Sequence, residues 1–221
     1  MHDDVGRAED VMNILDVVDH LVYASPDLES GVQRIAGLLG AVAAPGGHHP
    51  GRGTRNALVA LGPRTYLEII APDPDQVAPA GRRWFRVDDV GEPQLVTWAA
   101  PARDIESMSS RLAEAGMRLG TIGEGRRARA DGSELRWRFT DPATVVCDGI
   151  VPFLIDWGTS PHPAETAPDG GRLVGLSATH PDPEVVRGRL QSIGVEIPIE
   201  RGKAPRLTAT IRTRGGEVEL S

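Results

Sequence analysis

Two ionisable side chains interrupt apolar runs in the first third of the sequence. His20 lies in Ile14-Leu15-Asp16-Val17-Val18-Asp19-His20-Leu21-Val22-Tyr23-Ala24, and Glu68 lies in Thr65-Tyr66-Leu67-Glu68-Ile69-Ile70. Both runs read as β-strands with the ionisable residue in mid-strand. A charge among apolar neighbours is costly to bury unless something pairs with it. An imidazole facing a carboxylate across a sheet is a donor set that a divalent metal takes. The plainer readings are a neutral core histidine bonded to a carbonyl, and a carboxylate that meets an arginine or reaches water.

Further candidates follow in Gly47-His48-His49-Pro50-Gly51-Arg52-Gly53-Thr54-Arg55-Asn56. Thr54 and Asn56 could orient a ligand or bind substrate, and Arg55 could neutralise an anion; the alternative is ordinary turn chemistry. Gly51-x-Gly53 is no phosphate loop, because the Lys-Ser/Thr pair and a following helix are missing. Arg126, Arg127, Arg129, Arg136 and Arg138 form a basic cluster. Leu135, Trp137 and Phe139 alternate with Arg136 and Arg138, so this is a half-buried strand. Its arginines either hold an anionic substrate group or form a solvated face. Trp137 and Trp157 read as core or cleft wall, with Trp157 a substrate contact. His162 and His180 sit beside prolines and read as surface residues. Cys147 has no activating neighbour in sequence and is not a nucleophile candidate.

The elements that must position these groups repeat. Leu21 to Gly40, Leu95 to Gly116 and Leu173 to Gly194 each read as an apolar strand, a Pro/Asp turn and a helix closed by glycine. Leu28, Val32, Ile35 and Leu39 share one helical face; so do Ile105, Met108, Leu112 and Ala115, and Val186, Leu190 and Ile193. Ser25-Pro26 reads as an N-cap and first-turn pair, and Gly40, Gly116 and Gly194 as left-handed helix ends. Strands follow near Ala41 to Ala44, Asn56 to Leu61 and Thr65 to Ile70. A second set follows near Leu119 to Ile122, Glu134 to Phe139 and Pro152 to Trp157. A third follows near Val195 to Ile199, Arg206 to Thr213 and Glu217 to Leu220. Three β-α-β-β-β modules result, at 13–72, 94–157 and 173–221, packed as one domain behind a disordered tail at 1–12. Linkers run from Pro72 to Pro93 and from Gly158 to Gly171. A β-α-β-β-β unit leaves one sheet face uncovered, so an odd number of them raises the prospect of a homodimer.

Bulk properties exclude some classes. The chain has 221 residues and a net charge of -7, which argues against nucleic acid as a partner. The single cysteine cannot form an internal disulfide and points to the cytoplasm. No apolar run approaches the roughly 20 residues of a membrane span, and the N-terminus lacks the apolar stretch of a secretory signal.

The His20 and Glu68 runs and the 47–56 segment resemble the vicinal oxygen chelate superfamily, and within it the glyoxalase-like domain proteins. So do Ala130-Asp131-Gly132-Ser133-Glu134-Leu135-Arg136-Trp137 and Pro152-Phe153-Leu154-Ile155-Asp156-Trp157. The resemblance covers most of the chain from about residue 15. It implies an α+β fold of repeated βαβββ modules whose curved mixed sheets surround a cleft. It also implies a metal held by a first-strand His and a last-strand Glu, which fall here on His20 and Glu68. The repeats place Thr97 and Gly175 at the His20 position, while Glu219, and approximately Asp156, match Glu68. A third ligand is then needed: His49 is the first candidate, with His48, Asp156 and Glu219 as alternatives. The expected activity is that of a metal-dependent lyase, isomerase or dioxygenase. It would chelate two oxygens of a small substrate on Fe(II), Mn(II), Zn(II) or Ni(II), with Glu68 as ligand or base and Arg55, Asn56, Arg136, Arg138 and Trp157 against the substrate. The alternative is a metal-free protein of the same fold that binds or sequesters a small molecule such as an antibiotic.

Overall fold

The computed structural model describes residues 14–128 and 134–221. The expected tail at 1–12, Arg129 and the Ala130 to Ser133 segment lie outside the described residues. The architecture is built on β1 (His20–Ala24), which runs parallel to β4 (Thr65–Pro72) on one side and antiparallel to β5 (Gln94–Pro101) on the other. From this seam the sheet extends both ways. β3 (Thr54–Gly62) and β2 (Ala44–His49) lie beyond β4. β8 (Phe153–Asp156), β7 (Glu134–Thr140) and β6 (Ile122–Ala128) lie beyond β5. The eight strands form one large, curved, nearly closed mixed sheet.

Alternation sorts the side chains of this sheet into two cores. Leu21 and Tyr23 of β1, Leu67 and Ile69 of β4 and Trp98 of β5 point to the convex side. There they join Ile35 of α2 (Leu28–Leu39) and Ile105 and Leu112 of α3 (Ile105–Glu114). Val22, Tyr66, Ile70, Ala99, Phe153 and Ile155 point to the concave side. His20 alternates with Leu21 and Glu68 with Leu67 and Ile69, so both go with the concave set.

Two local readings are corrected. Ile14–Val17 is a short helix, here α1, closed by a bond from Val18 N–H to the Ile14 carbonyl, so the strand starts at His20. The cap of α2 is Asp27 and not Ser25: Asp27 accepts from the Ser30 amide at 2.8 Å, as Asp104 accepts from Ser107 at 3.0 Å ahead of α3. A carboxylate one turn ahead of the first free amides satisfies them better than the Ser25 hydroxyl two residues further out. Gly40 ends α2 at φ 68°, a conformation that side-chain-bearing residues rarely adopt.

The third unit keeps the order of elements but changes their pairing. β9 (Arg172–His180) is followed by α4 (Pro183–Ile193), β10 (Ile199–Arg201), β11 (Arg206–Thr213) and β12 (Gly216–Leu220). The sheet order is β10-β9-β11-β12, so β9 pairs with β10 and β11, and β12 forms an edge. Its apolar face (Leu173, Leu176, Leu207, Ala209) belongs to the same cluster as Trp98 and Leu21. The face that an odd number of units would leave open is thus covered within the chain. No helix among the described residues is long and apolar enough to cross a membrane.

Trp98 anchors the convex core. It is fully buried, and its Nε1–H donates to the Ile150 carbonyl at 2.8 Å. Trp98→Ala is expected to destabilise the fold by about 3–5 kcal/mol. Trp98→Phe, which mainly orphans the Ile150 carbonyl, should cost about 1–3 kcal/mol. Denaturant midpoints of the two variants check the order.

Candidate functional site

His20 is clamped on three sides. Its register partner across β4 is Tyr66, whose ring stacks on the imidazole at 4.6 Å and 17°; Phe153 meets it edge-on at 5.5 Å. From behind, Nδ1 lies 2.7 Å from Oδ1 of the neighbouring Asp19. The Asp19 carboxylate is 3% exposed and gathers two more rings on Oδ2: the Trp157 Nε1–H at 3.0 Å and His162 Nε2 at 3.2 Å. The Ala164 amide donates to His162 Nδ1 at 3.2 Å, so the His162 proton sits on Nε2 and points at Asp19. Burial alone would push the Asp19 carboxyl up, but the hydrogen bonds from His162 and His20 outweigh it and hold the group below 3.8. An ionised Asp19 only accepts, so His20 donates through Nδ1 and presents the lone pair of Nε2 to the cavity. That nitrogen is 3.8 Å from Glu68 Oε2.

The other Glu68 oxygen faces a second imidazole. His49 ends β2 with its Nε2 3.9 Å from Oε1 and its Nδ1 2.8 Å from the Thr54 hydroxyl. Asn56 Nδ2 ties the group together, donating to Glu68 Oε1 at 2.6 Å and lying 3.3 Å from His49 Nε2. With Nε2 accepting, the His49 proton sits on Nδ1 and bonds Thr54. Burial pushes the His49 pKa below 6.5 against the opposing pull of Glu68, so the ring is neutral at neutral pH. Alternation turns His48 the other way: its side chain is 60% exposed and its Nδ1 lies 2.6 Å from Asp73. His48 is therefore off the site.

His20, His49, Asn56 and Glu68 line one end of a cavity that is open to solvent; Trp84, Phe85, Trp137, Phe153 and Trp157 wall the rest. The model of the "Glyoxalase-like domain" family matches residues 18–194. The chain belongs to this family. Among solved structures, a hypothetical protein from Staphylococcus aureus is similar to this glyoxalase-like chain over 92% of its length and 98% of its own, at 15% identity and TM-score 0.63. Methylmalonyl-CoA epimerase from Mycobacterium tuberculosis matches 70% of the chain and 95% of itself, at 20% identity and TM-score 0.42. A variant of Streptomyces coelicolor methylmalonyl-CoA epimerase in complex with 2-nitronate-propionyl-CoA matches 66% and 98%, at 18% identity and TM-score 0.43. No curated protein matches the chain in sequence.

The glyoxalase-like sheet does not bring every residue singled out in sequence to the cavity. Trp157 and Asn56 line it. Arg55 points outward from β3 and pairs with Glu29 at 2.9 Å. Arg136 and Arg138 occupy the outward face of β7, where Arg136 pairs with Glu134 at 2.6 Å and Arg138 with Glu106 of α3. They lie there because Leu135, Trp137 and Phe139 take the inward alternation. Among the described residues, the arginine that lines the cavity is Arg127, whose register opposite Leu135 turns it inward. A signal for it existed in Gly123-x-Gly125-x-Arg127, with small residues spaced to face the Phe139 and Trp137 rings. His162 corrects another reading: it is 1% exposed and bonded to Asp19 through the turn Pro163–Glu165 that it caps.

Among the described residues, the second module supplies no matching donors. Ser25 N–H bonds the Ile70 carbonyl, and Ala102 N–H bonds that of Ile155, at the same distance before the two capping aspartates. Ile70 and Ile155 are thus equivalent, and Glu68 is matched by Phe153 and not by Asp156. Asp156 caps the Gly158 amide at 2.8 Å. Glu219 sits on β12, two strands from β9, away from any Glu68-like place. Among the described residues, no three His, Cys, Asp or Glu side chains form a ready-made metal cage. What does converge is pairwise: each Glu68 oxygen faces the Nε2 of one imidazole, and each imidazole is anchored through its other nitrogen.

Proposed function

We propose that the cavity is the active site of a metal-dependent enzyme of the vicinal oxygen chelate type, with His20, His49 and Glu68 holding a divalent cation. The observation that carries this reading is the arrangement around Glu68. Its two oxygens stand 3.8 and 3.9 Å from two imidazole nitrogens. The chemistry of this donor set suits Fe(II), Mn(II), Zn(II) or Ni(II), and a carboxylate behind a ligating histidine is the usual way its ring is oriented. When bound, the cation supplies a Lewis acid that takes two neighbouring substrate oxygens and stabilises negative charge on them.

The chain's own side chains set the rest. Asp19 fixes His20 with Nε2 forward, and Asn56 holds Glu68 by its Oε1, leaving Oε2 toward His20. Glu68 is the carboxylate placed to ligate or to accept a proton from bound substrate, which fits isomerase, lyase or dioxygenase chemistry. Tyr66, Phe153 and Trp157 keep water from the imidazole. The substrate is a small oxygenated organic molecule. A metal-free small-molecule binder is the second reading, favoured by the lack of a closed three-residue cage among the described residues and by Phe153 and Thr97 standing where a second module would add donors.

Elemental analysis of protein purified without chelator separates the two. About one divalent ion per chain is expected in the wild type, and far less in His20→Ala. Sub-stoichiometric metal in both samples overturns the enzyme reading and leaves the binder.

A further inference from the structure

β5 is paired unevenly. On the side away from β1, β8 reaches only Ala99, Ala100 and Pro101, so Gln94 to Thr97 border no described strand there. The turn Cys147–Gly149 takes that place, pressed so close that a Cβ on Gly149 would clash with the Val96 carbonyl oxygen. A single turn covers less than a strand does, and a cleft remains. The turn Trp84–Arg86 borders it on one side, and the third unit, with the segment from Lys203 to Leu207, on the other. The room for water-sized groups in it is about 670 Å³. Pockets for organic ligands measure roughly 300–1,000 Å³, so the cleft is of ligand size.

The two turns share an uncommon backbone. Among the described residues, Phe85, Arg86, Cys147 and Asp148 are the non-glycine residues at positive φ, between 47° and 56°. Residues that carry a side chain seldom adopt this conformation. A fold keeps it where the surroundings over-determine it, and such residues cluster at ligand sites. Phe85, Arg86 and Asp148 all line the cleft. Strained turns from two distant parts of the chain thus face one space.

The side-chain charges in the cleft are unevenly matched. Asp89 is held by Arg82 at 2.6 Å and by Arg86 at 3.1 Å, and Asp148 faces His180 at 3.4 Å. The third unit contributes Lys203, the one lysine of the chain, and Arg206. Neither side chain has a hydrogen bond or ion pair among the described residues. Both stand exposed in a chain whose net charge is -7. Val90, Val96 and Val151 give the cleft an apolar lining beside these cations. A phosphate monoester carries about -1.5 to -2 of charge at neutral pH and three acceptor oxygens. A guanidinium takes two such oxygens at once, and an ammonium adds a point charge.

We infer that this cleft binds a small organic phosphate monoester, its phosphate on Lys203 and Arg206 and its organic part along Val90, Val96 and Val151. The cleft shares Phe85 and Phe153 with the cavity at Glu68 but none of the His20, His49 and Glu68 donors, and it needs no metal. It also gives the third unit, whose Glu219 lies away from Glu68, a part in ligand binding.

Calorimetry on the full chain, as purified and after chelator treatment, tests this with phenyl phosphate, phenol, inorganic phosphate and succinate. Phenyl phosphate is expected to saturate one site in both preparations, at least about tenfold tighter than the other three. Lys203→Gln and Arg206→Gln should each weaken it about fivefold. Arg214→Gln, the same loss of charge on an exposed arginine outside the cleft, should leave it unchanged. Equal affinity for inorganic phosphate would mean an adventitious ion only, and equal affinity for succinate would mean that any dianion serves; either overturns the inference. So does binding that is lost with the chelator, which would put the phosphate on a metal at Glu68. Equal weakening by Arg214→Gln, or no binding of phenyl phosphate, overturns it as well. The comparison of ligands on the wild type decides even where a variant fails to fold.

Discussion

Asp19→Asn is expected to weaken metal binding while leaving a folded protein. The Asp19 carboxylate accepts from three rings, two of them on Oδ2. An amide has one acceptor and one donor end. Trp157 can only donate, and His162 is held with its proton on Nε2, so the Asn oxygen must serve them. Its NH2 then faces His20 Nδ1, which has to become an acceptor. The His20 proton moves to Nε2, and the nitrogen that faced Glu68 with a lone pair now faces it with N–H. Metal affinity should fall by about 10–100-fold, the usual effect of losing a ligand's outer partner. Nitrogen-15 imidazole shifts would report the tautomer directly; an unchanged Nδ1–H tautomer in the variant would refute this account. Replacing charged by neutral hydrogen bonds should also lower stability, by about 1.5–3 kcal/mol. That part depends on pH with a definite sign. The folded state holds Asp19 below 3.8, so on acidification the unfolded chain takes up the proton first. The stabilisation is complete above pH 4 and is lost as pH falls through the folded-state value. The wild type should therefore lose stability below pH 4 more steeply than Asp19→Asn.

Glu68→Gln should have the larger effect on the cation and a smaller one on the fold. Glu68 contributes one oxygen toward each imidazole, so its loss removes the bridge between the two halves of the donor set. Affinity for a divalent ion should drop by more than about 100-fold, beyond what an outer partner contributes. The amide keeps the shape, and its oxygen can still accept from Asn56 Nδ2, so the thermal midpoint of chelator-treated protein should change little. Isothermal titration with Mn(II) or Zn(II), read beside thermal melts, checks both halves. Retention of wild-type affinity would remove Glu68 from the ligand set.

The architecture is readable where burial imposes a period. Alternation alone divides Leu21 and Tyr23 from Val22, and Leu67 and Ile69 from Tyr66 and Glu68, and the two cores follow that division. The pairing of His20 with Glu68 is legible for the same reason, because each is an ionisable residue on the concave face of a strand. Where no local pattern exists, the sequence is silent. The strand expected near Ala41 to Ala44 lies instead at Ala44–His49, where Ala-Pro-Gly-Gly-His-His has no apolar period and pairs along the edge of β3. Arg127 differs from Arg126 only in register. The order of the third sheet depends on which edge β10 chooses, and nothing in Ile199–Arg201 states it. His162 sits in Ser-Pro-His-Pro, a surface turn by every local sign, and its partner lies 143 positions away.

That separation has a consequence in time. The proposed donors His20, His49 and Glu68 all lie in the first third of the chain. The groups that fix Asp19, and through it His20, follow 138 and 143 positions after Asp19. At about 5–20 residues per second of synthesis, roughly 7–30 s pass between the two. A nascent chain through that interval carries a His20 ring still free to choose its tautomer. Pairing of Trp157 and His162 with Asp19 thus makes the fixed His20 tautomer a late product of translation, available only once His162 has left the ribosome.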